Sequence, residues 1–227
     1  MATKSKLKAQ QAQQQEKIDD TVSKTEQFYN ENKKTIWSII IAVVVIFLLI
    51  LAYNQFIYQP KVAEAQEQMF PAEASFANGE YELALNGDGN VLGFAEIAKE
   101  YGNKAGASVY FYAGVCELQL GNFESAISYL KKYKGKDKIL SARALGCIGD
   151  AYVSLEDYSS ALGYFDKAAG VIDNMFAATY LLKAGVVCEE MGNAEKALGY
   201  YKTIKDKYPQ SVEGYDVDKY ISRIENK

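Results

Sequence analysis

Residues 36–53 read IWSIIIAVVVIFLLILAY, 18 consecutive positions without a charge. As a helix rising about 1.5 Å per residue this run covers about 27 Å, close to the hydrocarbon thickness of a bilayer once flanking side chains reach for the interface. It therefore reads as a transmembrane helix, and it divides the chain into a short leading segment and a long polar remainder. A cleaved secretory signal has an apolar stretch of only about 7 to 15 residues and a small-residue cleavage site. Here 35 residues come first and Leu51-Ala52-Tyr53-Asn54-Gln55 offers no such site, so the expectation is an uncleaved signal anchor over 36–53.

Lysines near the ends of a span set its orientation. Lys24, Lys33 and Lys34 precede it, whereas only Lys61 follows before Lys99. The N-terminus is expected in the cytoplasm and the C-terminal part outside it, with Trp37 at one interface and Tyr53, Phe56 and Tyr58 at the other. Ser38 and Ala42 form a small-xxx-small pair between bulky flanks. Residues 1–35, rich in Lys and Gln, have an apolar pattern too sparse to bury much and read as a mobile cytoplasmic tail. Its Lys4, Lys6 and Lys8 could meet anionic headgroups.

The 174 residues after Tyr53 carry 18 Lys and Arg against 24 Asp and Glu, net −6. That is enough chain for a core. The acidic balance argues against nucleic acid, and no basic block stands out in this part of the sequence.

This remainder is periodic. Segments starting at Ala107, Ala142 and Ala178 place Gly114, Gly149 and Gly185 at their eighth positions and Ala126, Ala161 and Ala197 at their twentieth. Gly121-Asn122-Phe123, Glu156-Asp157-Tyr158 and Gly192-Asn193-Ala194 mark turns, and Leu130, Phe165 and Tyr201 follow the alanines by four positions. The pattern resembles the tetratricopeptide repeat, a helix-turn-helix unit of about 34 residues. Two antiparallel helices approach closely where small residues meet, so the glycine and the alanine of each unit are expected to face one another. Pro209 stands where the family usually ends its second helix.

Residues 54–106 read as a linker helix followed by a degenerate leading repeat, residues 107–210 as three repeats, and residues 211–227 as a capping helix with Val212, Tyr215, Tyr220, Ile221 and Ile224 on its apolar face. Stacked units bury faces that none can bury alone. Within the leading unit, Asn86-Gly87-Asp88-Gly89-Asn90 interrupts the second helix, which resumes from Val91 to Tyr101. An EF-hand loop would need a Glu twelve positions on from Asp88, where Lys99 stands. The stretch reads as a helix stop and loop. Pro71 is expected to start or kink a helix. The fold class is thus all-α, one N-terminal transmembrane helix followed by a tetratricopeptide α-solenoid.

Catalysis is poorly provided for. The chain has no His, which removes the usual general base and metal ligand, and it has neither a Walker loop nor a nucleophile elbow. Glu189-Glu190 diverge by about 100° on a helix and read as a solvated pair. No enzyme activity, cofactor or metal site is expected, and no small-molecule substrate. Cys116, Cys147 and Cys188 fall at different heights on successive first helices, farther apart than a disulfide allows, and are expected to be buried free thiols, of which two at most could pair.

Function then falls to the concave face, which the tetratricopeptide family lines with positions two, five, nine and twelve of each first helix. These are Ser108, Phe111, Val115 and Leu118; Arg143, Gly146, Asp150 and Val153; Thr179, Leu182, Val186 and Glu189. The family's two-carboxylate clamp of Lys and Asn is missing. Of these positions Phe111, Val115, Leu118, Arg143, Asp150, Leu182, Val186 and Glu189 form the candidate partner groove, suited to an extended or helical apolar segment. The alternative is that Phe111, Leu118 and Leu182 pack against the extra N-terminal helices.

A short cytoplasmic tail, one span and an outer repeat array with an extra leading unit also resemble the YfgM-type periplasmic proteins, ancillary subunits of the bacterial SecYEG translocon. That resemblance implies a single-pass inner-membrane protein with a periplasmic repeat domain. Its implied partners are translocon subunits, a periplasmic chaperone and exported chains. Ala194 replaces the turn aromatic in the third repeat, so groove specificity does not transfer. A scaffold for envelope assembly at the outer membrane is the other reading, against which stands the lack of a lipobox cysteine after the apolar run.

Overall fold

The computed structural model describes residues 2–226, with side chains from Glu26 onward. Lys4, Lys6 and Lys8 therefore lie outside the described side chains. The chain forms two compact units, 1–59 and 60–227.

In the first unit α1 runs from Ala2 to Tyr53, and one π-helical turn, Asn54–Tyr58, follows. The leading segment is helical in backbone, consistent with its Ala, Gln, Glu and Lys content, all good helix formers. From Trp37 to Tyr53 the side chains are exposed. This helix is long and apolar enough to cross a membrane.

The second unit is a succession of helical hairpins, with no strand among the described residues. Its helices are α2 (Gln59–Ala77), α3 (Tyr81–Asn86), α4 (Phe94–Glu100), α5 (Ser108–Gln119), α6 (Phe123–Lys132), α7 (Lys138–Ser154), α8 (Tyr158–Val171), α9 (Ala177–Glu190), α10 (Ala194–Lys207) and α11 (Val212–Glu225). Pro71 lies inside α2 and does not start a helix. Glu67, whose carbonyl loses its donor, is exposed. Helices α7, α8, α10 and α11 begin at side-chain caps, Asp137, Asp157, Asn193 and Ser211, each accepting a backbone N–H three residues on.

The nearest neighbour of each repeat's glycine is a large side chain rather than the alanine. A Cβ on Gly149 would come within 2.5 Å of the Phe165 ring, one on Gly114 within 2.6 Å of Leu130, and one on Gly185 into Tyr201. Position eight is thus a slot for the large residue at position twenty-four. Ala126, Ala161 and Ala197 are fully buried beside it. This correction follows from helix geometry, because residues four apart share a face and the bulkier of the two reaches across.

The leading hairpin closes differently. Asn86–Gly93 breaks its second helix at Gly87 (φ 72°), and Gly87 bridges to Leu92. The Asp88 carboxylate accepts the N–H groups of Asn90 and Val91 at 2.8 and 2.9 Å. Helix resumes only at Phe94, later than the expected Val91, because Val91 and Leu92 belong to this loop. On α11 the buried stripe is Val217 and Ile221, with Tyr220 and Ile224 against it. Val212 and Tyr215 point outward, since neither falls on the stripe that runs at i, i+4 and i+7 from Val217.

Candidate partner-binding surface

The first helices α5, α7 and α9 carry the expected groove positions, and their surroundings differ. Phe111 is 2% and Val115 7% exposed. Both belong to a core that includes Ile127, Leu130, Tyr133 and Ile148, with Phe76 packed against it. The guanidinium of Arg143 sits over the Phe111 ring at 5.8 Å. Phe111 and Val115 are therefore covered by the protein's own residues and offer little to a partner. Leu118 and Leu182 are half-buried, Val186 and Arg143 exposed.

The acidic groove positions are engaged in contacts within and between repeats. Lys183 on α9 donates to both oxygens of Asp150 on α7 at 2.7 Å. Glu189 accepts the Tyr201 hydroxyl at 2.6 Å and Arg223 of α11 at 2.5 Å. Further links of the same kind are Thr179 to Glu213, Tyr200 to Asp166 and Tyr208 to Asp173, separated by 34, 34 and 35 residues. Each spans one repeat, so a polar seam fastens neighbouring hairpins. Burial and the Asp166 carboxylate both push the Tyr200 hydroxyl up, and burial with Glu189 does the same for Tyr201. These hydroxyls remain donors across the physiological range.

No groove residue lines either of two sizeable cavities. One of about 530 Å³ lies among Ala95, Glu96, Lys99, Tyr110, Tyr129 and Lys132. The other, of about 310 Å³, is edged by Lys131, Lys134 and Lys167 over Leu145, Ile148 and Tyr164. Of the expected groove residues, Leu182 is half-buried, and Val186 and Arg143 are exposed.

The three cysteines are free thiols. Cys116 and Cys188 are buried, whereas Cys147 is only half-buried. Burial pushes the thiol of Cys116 up to about 12 and that of Cys147 up to about 11, which leaves little thiolate for chemistry near neutral pH. Among the described residues no group of three His, Cys, Asp or Glu is placed to hold a metal.

One feature escaped the sequence reading. Residues 131–138, KKYKGKDK, hold five lysines in eight positions, a basic block hidden by the acidic balance of the whole unit. A local count would have found it.

The tetratricopeptide repeat family is matched over residues 108–137 and again over residues 147–212. Two solved structures with this fold are crystal structures of MamA. One has 19% sequence identity and a TM-score of 0.53, covering 73% of this chain and 87% of that one. The other has 20% identity and a TM-score of 0.51, covering 68% and 92%. A sequence search of curated proteins finds no match. Residues 108–137 and 147–212 are tetratricopeptide repeats, and a stack of such repeats is a scaffold for binding other proteins.

Proposed function

We propose that the chain is a membrane-anchored scaffold whose repeats work outside the cytoplasm, as an ancillary subunit of the translocon or of the envelope chaperone network. The observation that carries this reading is the joining of an exposed, uncharged 18-residue helical run to a stack of protein-binding repeats. Lys24, Lys33 and Lys34 favour the N-terminus inside. The partner segment lies along Leu118, Arg143, Leu182 and Val186, apolar side chains with one guanidinium among them, which suits an extended segment of a newly exported chain.

A photo-crosslinking residue at Val186, in membranes of the native host, tests it. Translocon subunits, chaperones or exported chains are the expected adducts. Adducts confined to cytoplasmic proteins would overturn it, as would an alkaline phosphatase fusion after Lys227 that stays inactive while a fluorescent-protein fusion there glows.

A further inference from the structure

The repeat stack has two rims, and their chemistries are opposite. The turns within hairpins carry Glu80, Glu82, Glu124, Glu156, Asp157, Glu190 and Glu195, all exposed, with Lys196 opposing them. The loops between hairpins carry Lys104, Lys132, Lys134, Lys136 and Lys138. These loops adjoin one another: Asn103 and Ala107 share a cavity with Lys132 and Lys134, Ala142 packs with Ile172 and Ala177, and Tyr208 donates to Asp173. The acids on this rim are mostly occupied. Asp137 caps α7, Asp173 accepts Tyr208 and Glu213 accepts Thr179. Lys132, Lys134, Lys136 and Lys138 are exposed and make no ion pair among the described residues.

The same rim exposes large apolar side chains at the start of α7, α9 and α11. Ile139 opens α7, Met175 and Phe176 precede α9, and Val212 and Tyr215 open α11, each more than half exposed. They recur at nearly the repeat spacing, so they form a row. Lysines beside exposed apolar and aromatic side chains are the composition of an interfacial lipid contact. In the chain the second unit follows the apolar run directly, residues 54–59 between Tyr53 and Pro60 being helical. Where the second unit begins, Gln66 donates to Ala105 and Tyr101 to Glu64, so α2 enters at this basic rim.

We infer that the basic rim is a lipid-contact surface, on which Lys132, Lys134, Lys136 and Lys138 meet anionic phospholipid headgroups and Ile139, Met175, Phe176 and Val212 enter the interfacial layer. This rests on the reading of α1 as an anchor. A surface of this kind holds the opposite, acidic rim away from the bilayer and fixes the height of the partner strip above it.

The full chain, with Cys147→Ala, is placed in nanodiscs of brominated phosphatidylcholine, with or without one-third phosphatidylglycerol. An environment-sensitive dye is attached at Ile139→Cys or, on the acidic rim, at Glu156→Cys. At least twofold quenching is expected at position 139 in anionic discs, with none at 156, and changing the four lysines to Gln should abolish it while helicity is retained. Equal quenching at both positions, or none at 139, overturns the inference. So does binding of a decaglutamate peptide at position 139 with no lipid quenching, which would assign the rim to an acidic protein. A chain that fails to co-elute with the discs overturns the anchor itself, and that failure is visible before any quenching is read.

Discussion

The hairpin of α7 and α8 and the leading hairpin of α2 to α4 solve one packing problem in two ways. In the first, a continuous second helix delivers Phe165 into the slot over Gly149. In the second, the helix stops at Gly87, a loop intervenes, and the separate helix α4 returns Phe94, fully buried, to close the core. Phe94 stacks on Tyr112 at 5.1 Å between centroids, and Phe76 meets the same ring edge-on at 5.0 Å. The repeat period thus demands a large side chain in a given place and is indifferent to whether one helix or two supply it. The continuous version is held by side-chain fit, the broken version by an aromatic cluster plus an ordered loop.

The largest expected effect falls on the broken version. Phe94→Ala removes a ring that touches α2 and α5 and should cost about 3 to 5 kcal/mol in urea denaturation. A loss under about 1 kcal/mol would mean that the leading unit is already loose and the two closures are not equivalent. Next comes Gly149→Leu, which forces a branched side chain into the Phe165 ring and should cost about 3 kcal/mol, with damage spreading to neighbouring hairpins. Adding Phe165→Ala should return part of that loss. Additive losses in the double variant would break the assignment of slot and filler.

A smaller effect is expected where later hairpins are joined by charge. Asp150 and Lys183 are both more than a third exposed, so a double-mutant cycle should give only about 0.5 kcal/mol of coupling. A much larger value would make the polar seam, rather than apolar fit, the main fastening between repeats. The smallest effect is local. Hydrogen bonds from Val91 and Asn90 hold the Asp88 carboxyl below its usual range. A depressed folded value means that the contribution is present above the ordinary carboxylate range and fades as pH falls through the lowered one. The protection factors of the Asn90 and Val91 amides, exchange rates corrected for the intrinsic pH dependence, should therefore fall on acidification through that window, while Ala161 keeps its protection. Unchanged protection at Asn90 would show the loop to be held by its glycines alone.

The uncharged run and the repeating Gly and Ala positions made the helix-turn-helix architecture readable in the sequence. Periodicity gives each residue an address on its own helix, but not the identity of what lies across from it. That is why periodicity pairs Gly149 with Ala161, although Phe165 lies nearest. It is also why it puts Phe111 on an open groove, although Tyr133, from the loop after α6, and Arg143, from the next repeat, meet its ring. Val212 and Tyr215 were assigned to a buried face on hydrophobicity alone, although the helical spacing from Val217 and Ile221 excluded them. The lysines of 131–138 were lost by averaging charge over the whole unit. Neighbours, not types, decide exposure in a stack.

Links one repeat apart, such as Tyr200 to Asp166 and Thr179 to Glu213, have a consequence for how such a protein could change in length. A duplicated segment of one period carries one half of such a link for the unit before it and the other half for the unit after it. Each inserted hairpin would arrive with both halves of its fastening, so the array can be lengthened or shortened by whole units without inventing a new joint.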